Sequence, residues 1–153
     1  MELISPKNSD QKARYALALH GGAGLLSRDD FSQVELVAYE TALAEALAIG
    51  EKCLRQQGSA LDAVTATVSY LEDCPLFNAG RGSVFGANYQ IEMDASIMDG
   101  ATLRAGAVSL VKRIKNPILA ARTILQHSPH VMLASDGAEE FAFTHGLEFA
   151  SAE

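Results

Sequence analysis

A stretch punctuated by proline and glycine, residues 71–85, limits the folds open to this chain more than any other feature. Pro75 fixes its backbone φ angle and lacks an N–H donor. Gly80 and Gly82 allow backbone conformations that other residues resist, and Asn78 tolerates left-handed geometry and can hydrogen-bond nearby backbone. The pattern predicts either an ordinary irregular connection between a helix and a strand, or a loop whose backbone is shaped to hold something.

Composition narrows the class of protein further. The 153 residues are enough for one domain, and a hydrophobic fraction of 48% can form a core. The formal net charge of −7 argues against a nucleic-acid binder, which usually shows a basic face. No apolar run reaches the roughly 18 residues that span a bilayer, and the start does not read as a secretory signal. Cys53 and Cys74 suit neither a metal site nor a disulfide framework, so we expect reduced thiols in the cytoplasm.

The part of the chain before residue 71 carries helix signals. Asp29 or Asp30 is in a position to cap a helix, and Gly58 lies where a helix C-terminus favours glycine. Ser59 followed by Asp62 resembles a capping box. The predicted elements are a loose lead-in over residues 1–13, a buried strand over 15–20, and helices over about 31–57 and 60–72.

The second half alternates strand and helix signals. Asp99-Gly100 predicts a hairpin between two strands, Pro117 is in the first position of a helix, and Gly146 closes the last helix. The predicted elements are strands over 83–85, 91–98, 103–111 and 131–134, and helices over about 117–126 and 138–144. Together with the first half, they predict a layered α/β or α+β domain.

Three blocks of sequence together resemble one known family. They are His20-Gly21-Gly22-Ala23-Gly24, the stretch 71–85, and Met93-Asp94-Ala95-Ser96-Ile97-Met98-Asp99-Gly100. In this order and spacing they resemble the plant-type L-asparaginase and isoaspartyl peptidase family of N-terminal-nucleophile (Ntn) hydrolases, over roughly residues 15–147. The resemblance implies an α+β fold, the αββα sandwich of two antiparallel sheets between helical layers. It also implies that residues 1–153 are the α subunit of one such domain, with a mobile linker starting at about 148–153.

The resemblance further implies a sodium ion and an active-site environment. A hard cation prefers oxygen ligands, which neutral carbonyl groups supply. Asn78 resembles a family residue that lies near the amino group of the nucleophile and orients it. The residues alone favour a plain tight turn after a buried strand for Gly21 and Gly22, whereas the resemblance implies that they lie beside the active site and help to shape the autocleavage site. The implied sodium ligands are the main-chain carbonyls of Leu71, Glu72, Cys74, Phe77, Ala79 and Arg81.

No catalytic residue is assigned to this chain. Enzymes of this superfamily use an N-terminal threonine whose own amine is the general base, and no threonine lies near Met1. The resemblance implies a precursor that cuts itself before that threonine, and an obligate β subunit in an (αβ)2 heterotetramer. The implied activity is hydrolysis of β-aspartyl (isoaspartyl) dipeptides and L-asparagine to release L-aspartate. Glycosylasparaginase, threonine aspartase and a non-enzymatic small α/β binding protein remain as alternatives.

Other polar residues have simpler explanations than catalysis. Asp94 and Asp99 are five residues apart, an offset that puts them on opposite strand faces, and Asp99 suits a turn. His127 and His130 could hold a metal, but surface positions are the better interpretation of two histidines on a loop. We expect Arg81 to face solvent or another subunit.

Overall fold

The computed structural model describes residues 2–4, 15–22 and 28–151, with only the backbone described for residues 2–4. The chain divides into two compact units, Met1–Thr67 and Val68–Glu153. The strands are β1 (Glu2–Ile4), β2 (Leu17–Leu19), β3 (Met93–Met98), β4 (Ala105–Val111) and β5 (Met132–Ala134). The helices are α1 (Gln33–Arg55), α2 (Ala60–Asp73), α3 (Pro117–His127) and α4 (Ser135–Thr144). The prediction of a mixed α and β fold is therefore confirmed.

The first unit begins with a two-stranded antiparallel sheet, in which β1 pairs with β2. The region predicted as a loose lead-in, 1–13, thus contains a strand, while residues 5–14 lie outside the described part. In β2, Leu17 and Leu19 are half-buried and Ala18 between them is exposed. The prediction of a buried strand is therefore wrong for the face that carries Ala18. The alternation indicates one covered face rather than two.

Helix α1 is capped by a different residue from the ones predicted. Asp29 and Asp30 lie in a short 3-10 turn, and Ser32 is the N-cap. The Ser32 hydroxyl accepts from the Glu35 N–H at 3.3 Å, and the Glu35 carboxylate accepts from the Ser32 N–H at 2.8 Å. This reciprocal capping box fixes the start of the helix.

Helix α1 ends in a Schellman motif. Its left-handed residue is Gln57, one position before Gly58, the glycine predicted to lie at this helix end. Gln57 has φ +66°, and the Gly58 N–H donates to the Cys53 carbonyl at 3.0 Å. Gly58 is still required, because a Cβ there would lie 3.0 Å from the Cys53 carbonyl oxygen and 2.5 Å from its sulfur. The helix therefore ends with a glutamine in a conformation that favours glycine.

Helix α2 starts with the predicted capping box. The Ser59 N–H donates to the Asp62 carboxylate at 3.0 Å, and the Asp62 N–H donates to the Ser59 hydroxyl at 3.1 Å. The helix continues to Asp73, one residue beyond the prediction, and delivers the chain to the stretch 71–85.

The second unit is a three-stranded sheet in the order β3-β4-β5. Strand β4 pairs antiparallel with β3 and parallel with β5. Helices α3 and α4 cover one face of this sheet, and their apolar side chains form the core with those of the strands. At Gly106 a Cβ would overlap the Ala121 carbonyl oxygen and lie 2.5 Å from the Leu125 nitrogen, so this glycine brings β4 against α3. The buried core members are Met93, Val108, Val111, Ile114, Ala120, Ile124, Ala138 and Ala142.

Two local predictions in this unit need correction. Residues 83–85 form no strand: the Val84 N–H donates to the Asn78 side chain at 3.0 Å instead of to a neighbouring strand. The hairpin between β3 and β4 exists, but its loop is longer than two residues, because the Asp99 N–H donates to the Arg104 carbonyl at 2.9 Å. The Asp99 carboxylate accepts from the Ala101 N–H at 3.0 Å, which stabilises this wider loop.

Candidate active-site support and cation loop

The stretch 71–85, called here the carbonyl loop, begins inside the last turn of α2. The Cys74 N–H donates to the Tyr70 carbonyl at 3.1 Å, which ends the helix. The chain then folds back in tight turns: the Ala79 N–H donates to the Phe77 carbonyl at 2.8 Å, and the Gly82 N–H donates to the Ala79 carbonyl at 3.0 Å. Pro75 lacks an N–H and so needs no partner here. The loop is thus held by its own backbone.

Two glycines let carbonyl groups approach inside the loop. Gly80 has φ +51°, and a Cβ there would overlap the Glu72 carbonyl oxygen and lie 2.8 Å from the carbonyl carbon. A Cβ at Gly82 would overlap the Phe77 carbonyl oxygen and lie 2.8 Å from that of Pro75. Both positions therefore exclude any side chain, and the reason is the crowding of backbone carbonyls.

The carbonyl oxygens of the loop retain acceptor capacity. Those of Leu71, Cys74, Phe77 and Ala79 each accept a backbone N–H, at 3.3, 3.5, 2.8 and 3.0 Å respectively. A carbonyl oxygen has two lone pairs, so each of these oxygens can accept from an N–H and still bind a cation. Several neutral oxygens on one short, tightly turned loop, with side chains excluded between them, fit the donor set of a hard cation such as sodium.

Asn78 lies at the exposed tip of the carbonyl loop. Its side-chain oxygen accepts from the Val84 N–H at 3.0 Å, which spans six residues and ties the two sides of the loop together. The bond fixes the orientation of the carboxamide, because the nitrogen must then point away from Val84. A fixed amide donor at an exposed tip is suited to orienting a polar group of another molecule or subunit.

Glu72 is a functional candidate whose side chain the sequence analysis missed. It is only 3% exposed, and its Oε1 accepts from the Ile118 N–H at the start of α3, at 2.9 Å. Its Oε2 has no hydrogen-bond partner among the described residues. Burial raises the pKa of Glu72 to about 7, Asp73 adds to the rise, and the Ile118 N–H and the Asn116 side chain oppose it. The available signal in the sequence is the spacing: Glu72 lies one helical turn after Val68 and directly after Leu71, so a charge falls among apolar residues.

The start of α3 depends on this carboxylate. Asn116 is the N-cap residue of α3, but its side chain makes no capping hydrogen bond. Its amide nitrogen instead reaches back to α2, where it donates to the Asp73 carboxylate at 3.1 Å and to the Ser69 carbonyl at 3.4 Å. Glu72 therefore supplies the acceptor that the first turn of α3 lacks.

The structure describes the glycine run after β2 only as far as Gly22. Gly22 has φ +129°, and its N–H donates to Nδ1 of His20 at 3.2 Å. Gly21 and Gly22 are exposed, whereas Ala23 and Gly24 lie outside the described residues. In this arrangement the Gly22 N–H is engaged by the His20 side chain.

The two aspartates considered for acid–base chemistry have structural partners. The Asp94 carboxylate accepts from the Ser109 hydroxyl at 2.7 Å and from the Leu110 N–H at 2.8 Å, beside a β-bulge. The hydrogen bond from the Thr102 hydroxyl is the main cause that lowers the pKa of Asp99 below its usual value. Each carboxylate thus stabilises its own strand or turn.

The remaining candidates are exposed. His127 and His130 lie on the surface, as predicted, and the Arg81 side chain is also exposed. Across the described ranges, no cluster of three or more His, Cys, Asp or Glu side chains could hold a metal ion. Among the helices that the structure describes, none is both long enough and apolar enough to cross a membrane.

Comparison with known proteins shows the family of the chain. The family model described as asparaginase matches residues 13–153, so the chain belongs to this asparaginase family. The resemblance inferred from the three sequence blocks is thereby confirmed.

Individual relatives carry related names. An isoaspartyl peptidase of Escherichia coli is 50% identical over 90% of this chain and 43% of its own length. A human isoaspartyl peptidase/L-asparaginase is 47% identical over 83% of this chain and 40% of its own. A plant-type L-asparaginase of Pyrococcus horikoshii is 44% identical over 86% of this chain and 42% of its own length. The chain therefore spans less than half the length of the curated relatives it matches.

Proposed function

We propose that this chain is the α subunit of an autoprocessed threonine hydrolase that cleaves β-aspartyl dipeptides and L-asparagine and releases L-aspartate. The observation that carries the proposal is the 50% identity to an isoaspartyl peptidase over 90% of this chain, which matches only 43% of that protein. The nucleophilic threonine, the carboxylate clamp and the oxyanion donors then belong to the β subunit.

A sheet face that stays exposed in the described part of the chain supports the proposed partner. The face of β3-β4-β5 opposite to α3 and α4 carries a shallow depression of about 370 Å³, and its lining combines small or apolar side chains with polar ones, among them Ala107, Met132, Ser96 and Asp94. Met98 and Met132 are 56% and 57% exposed. Sheet faces of this kind are normally covered by a second layer. The αββα sandwich, the αβ unit and its pairing into (αβ)2 are the proposed completion.

The mechanism gives this chain a supporting role. The hydroxyl of the β-subunit threonine attacks the side-chain amide carbon of asparagine or the isopeptide carbonyl carbon, and the α-amine of the same threonine takes the hydroxyl proton. This proton passes to the nitrogen of the leaving group as the C–N bond breaks, so that ammonia or the second amino acid departs and an acyl-enzyme ester remains. Water then releases aspartate from the acyl-enzyme. Asn78, held by its bond to Val84, orients the amino group of the threonine. The loop after β2, with Gly21 and Gly22, lies beside the scissile position in this proposal.

The carbonyl loop is proposed to hold sodium. When bound, the ion supplies a positive charge that gathers carbonyl oxygens and makes the loop rigid. The carbonyls of Leu71, Glu72, Cys74, Phe77, Ala79 and Arg81 are the proposed ligands. The crowding of carbonyls at Gly80 and Gly82 supports this assignment. A cytoplasmic location also belongs to the proposal, and the free thiols of Cys53 and Cys74 are consistent with it.

A substrate panel tests the activity. The complete protein is incubated with a β-aspartyl dipeptide, L-asparagine, the corresponding α-aspartyl dipeptide and a glycosylated asparagine, and aspartate release is measured. Hydrolysis of the first two alone is expected. Preference for the glycosylated substrate would favour a glycosylasparaginase instead, and cleavage of none of them would contradict the proposal.

Asn78→Ala and Asn88→Ala form a matched pair for the supporting role. Both residues are exposed asparagines whose side-chain oxygen accepts a nearby backbone N–H, at 3.0 Å for Asn78 and 3.1 Å for Asn88. Asn78→Ala should lower kcat by about tenfold or more, and Asn88→Ala should leave it near the wild-type value. Equal effects would remove Asn78 from the active-site environment.

A further inference from the structure

We propose that the Glu72 side chain is a positioning residue that links the carbonyl loop to helix α3, so that a cation in the loop also stabilises the start of α3. This inference rests on the proposed sodium loop. It goes beyond it, because it concerns a side chain and a helix that supply no ligand to the ion.

Glu72 connects the carbonyl loop to helix α3. The backbone of Glu72 carries a carbonyl that belongs to the loop, and Gly80 packs so closely against it that no Cβ fits between them. The side chain of the same residue accepts from the Ile118 N–H at 2.9 Å. A force on the carbonyl is therefore transmitted through a single residue to the first turn of α3.

The side chain has little freedom to move. It is 97% buried, as the 3% exposure indicates, and its Oε1 is fixed by the Ile118 N–H. Asn116, directly before α3, holds the Asp73 carboxylate at 3.1 Å, so a second hydrogen bond joins the end of α2 to the start of α3. A buried, hydrogen-bonded side chain between two backbone segments couples them tightly, since moving either segment would leave a buried polar group without its hydrogen bond.

The same unit contains a matched control residue. Glu139 is 4% exposed and accepts from the backbone N–H groups of Lys112 and Arg113, at 2.8 and 2.9 Å. It thus resembles Glu72 in burial and in its type of hydrogen bond, but its partners belong to the segment after β4. Its removal should weaken the fold without changing the response to sodium.

The test compares melting temperatures of the complete protein in sodium chloride and in choline chloride at equal ionic strength. Sodium should raise the Tm of the wild type by about 5 °C. Glu72→Leu should lose more than half of this increase, whereas Glu139→Leu should retain it. Glu72→Gln keeps an acceptor oxygen for Ile118 and should restore most of the response.

Hydrogen exchange of the unmodified protein keeps the test decisive if Glu72→Leu does not fold. Sodium should slow exchange of the Ile118 amide by about tenfold and leave the Lys112 and Arg113 amides nearly unchanged. Two results would refute the coupling and leave the sodium loop intact. One is a wild type whose Tm rises in sodium while the exchange rate of the Ile118 amide does not change. The other is a Glu72→Leu variant whose Tm rises in sodium as much as that of the wild type. No effect of sodium on the wild type would overturn both the loop and the coupling, whatever the substrate panel shows.

Discussion

Replacing Gly80 with alanine tests the geometry on which the carbonyl loop depends. Gly80 has φ +51°, and an added Cβ would overlap the Glu72 carbonyl oxygen and lie 2.7 Å from the Glu72 Cβ. The left-handed backbone costs an alanine about 1 kcal/mol. Crowding against backbone atoms, which cannot rotate away, adds about 1–3 kcal/mol. We therefore expect Gly80→Ala to reduce the free energy of unfolding by about 2–4 kcal/mol.

Gly146→Ala separates the two contributions. Gly146 also has a left-handed backbone, with φ +74°, but a Cβ there would meet nothing within 4 Å. This variant should lose only the conformational contribution, about 1 kcal/mol. Gly100→Ala, with neither a left-handed backbone nor a close neighbour, serves as the reference for both.

Urea denaturation of the complete protein measures these differences, with Tm as a second readout. The expected order of stability is Gly100→Ala, then Gly146→Ala, then Gly80→Ala. Equal losses for Gly80→Ala and Gly146→Ala would show that the Glu72 carbonyl does not crowd Gly80. The structural basis for crowded carbonyls in this loop would then be refuted.

Three further predictions concern other parts of the chain. The pKa of Glu72 is about 7, above its ordinary 4.5. In sodium-free buffer, the contribution of its protonated form to the free energy of unfolding is therefore complete below pH 4.5 and is lost as pH rises through 7. Urea titrations should show a loss of about 3 kcal/mol, which should be absent in Glu72→Gln. Burial would raise the pKa of Glu139, but hydrogen bonds from Lys112 and Arg113 outweigh it and lower the pKa. The stability that this carboxylate contributes is therefore lost as pH falls below its usual pKa of 4.5. In Glu139→Gln, the free energy of unfolding should depend less on pH in this acid range. Gln57→Gly relieves φ +66° at the end of α1 and should add about 1 kcal/mol in urea denaturation; no gain would contradict the Schellman assignment.

Local signals in the sequence predicted the helices well. Ser59 with Asp62 and Pro117 act through their own neighbours, so their effect is readable from spacing alone. In 91–98 every second residue is apolar, from Ile91 to Ile97, which predicts a strand with one buried face. The structure agrees, because Met93 and Ile97 are buried and Met98 is exposed. The three-block resemblance predicted the family.

The errors arose where a distant residue decides the structure. The run 83–85 has strand-forming residues, but the Val84 N–H is taken by Asn78, so no ladder forms. The role of Glu72 depends on the N–H of Ile118, which lies 46 residues further along the chain. No pattern of period 2 or 3.6 reports such a contact, and a glutamate in the last turn of a helix gives only the weak signal of a charge on an apolar face.

Intact-mass analysis of the purified complete protein tests whether this chain is the α subunit of an autoprocessed hydrolase. Two masses are expected, one for a fragment that contains this chain and one for a fragment whose first residue is threonine, both in a single assembly by size-exclusion chromatography. A single uncleaved mass in a preparation that hydrolyses β-aspartyl dipeptides would contradict the assignment of this chain as the α subunit of an autoprocessed hydrolase.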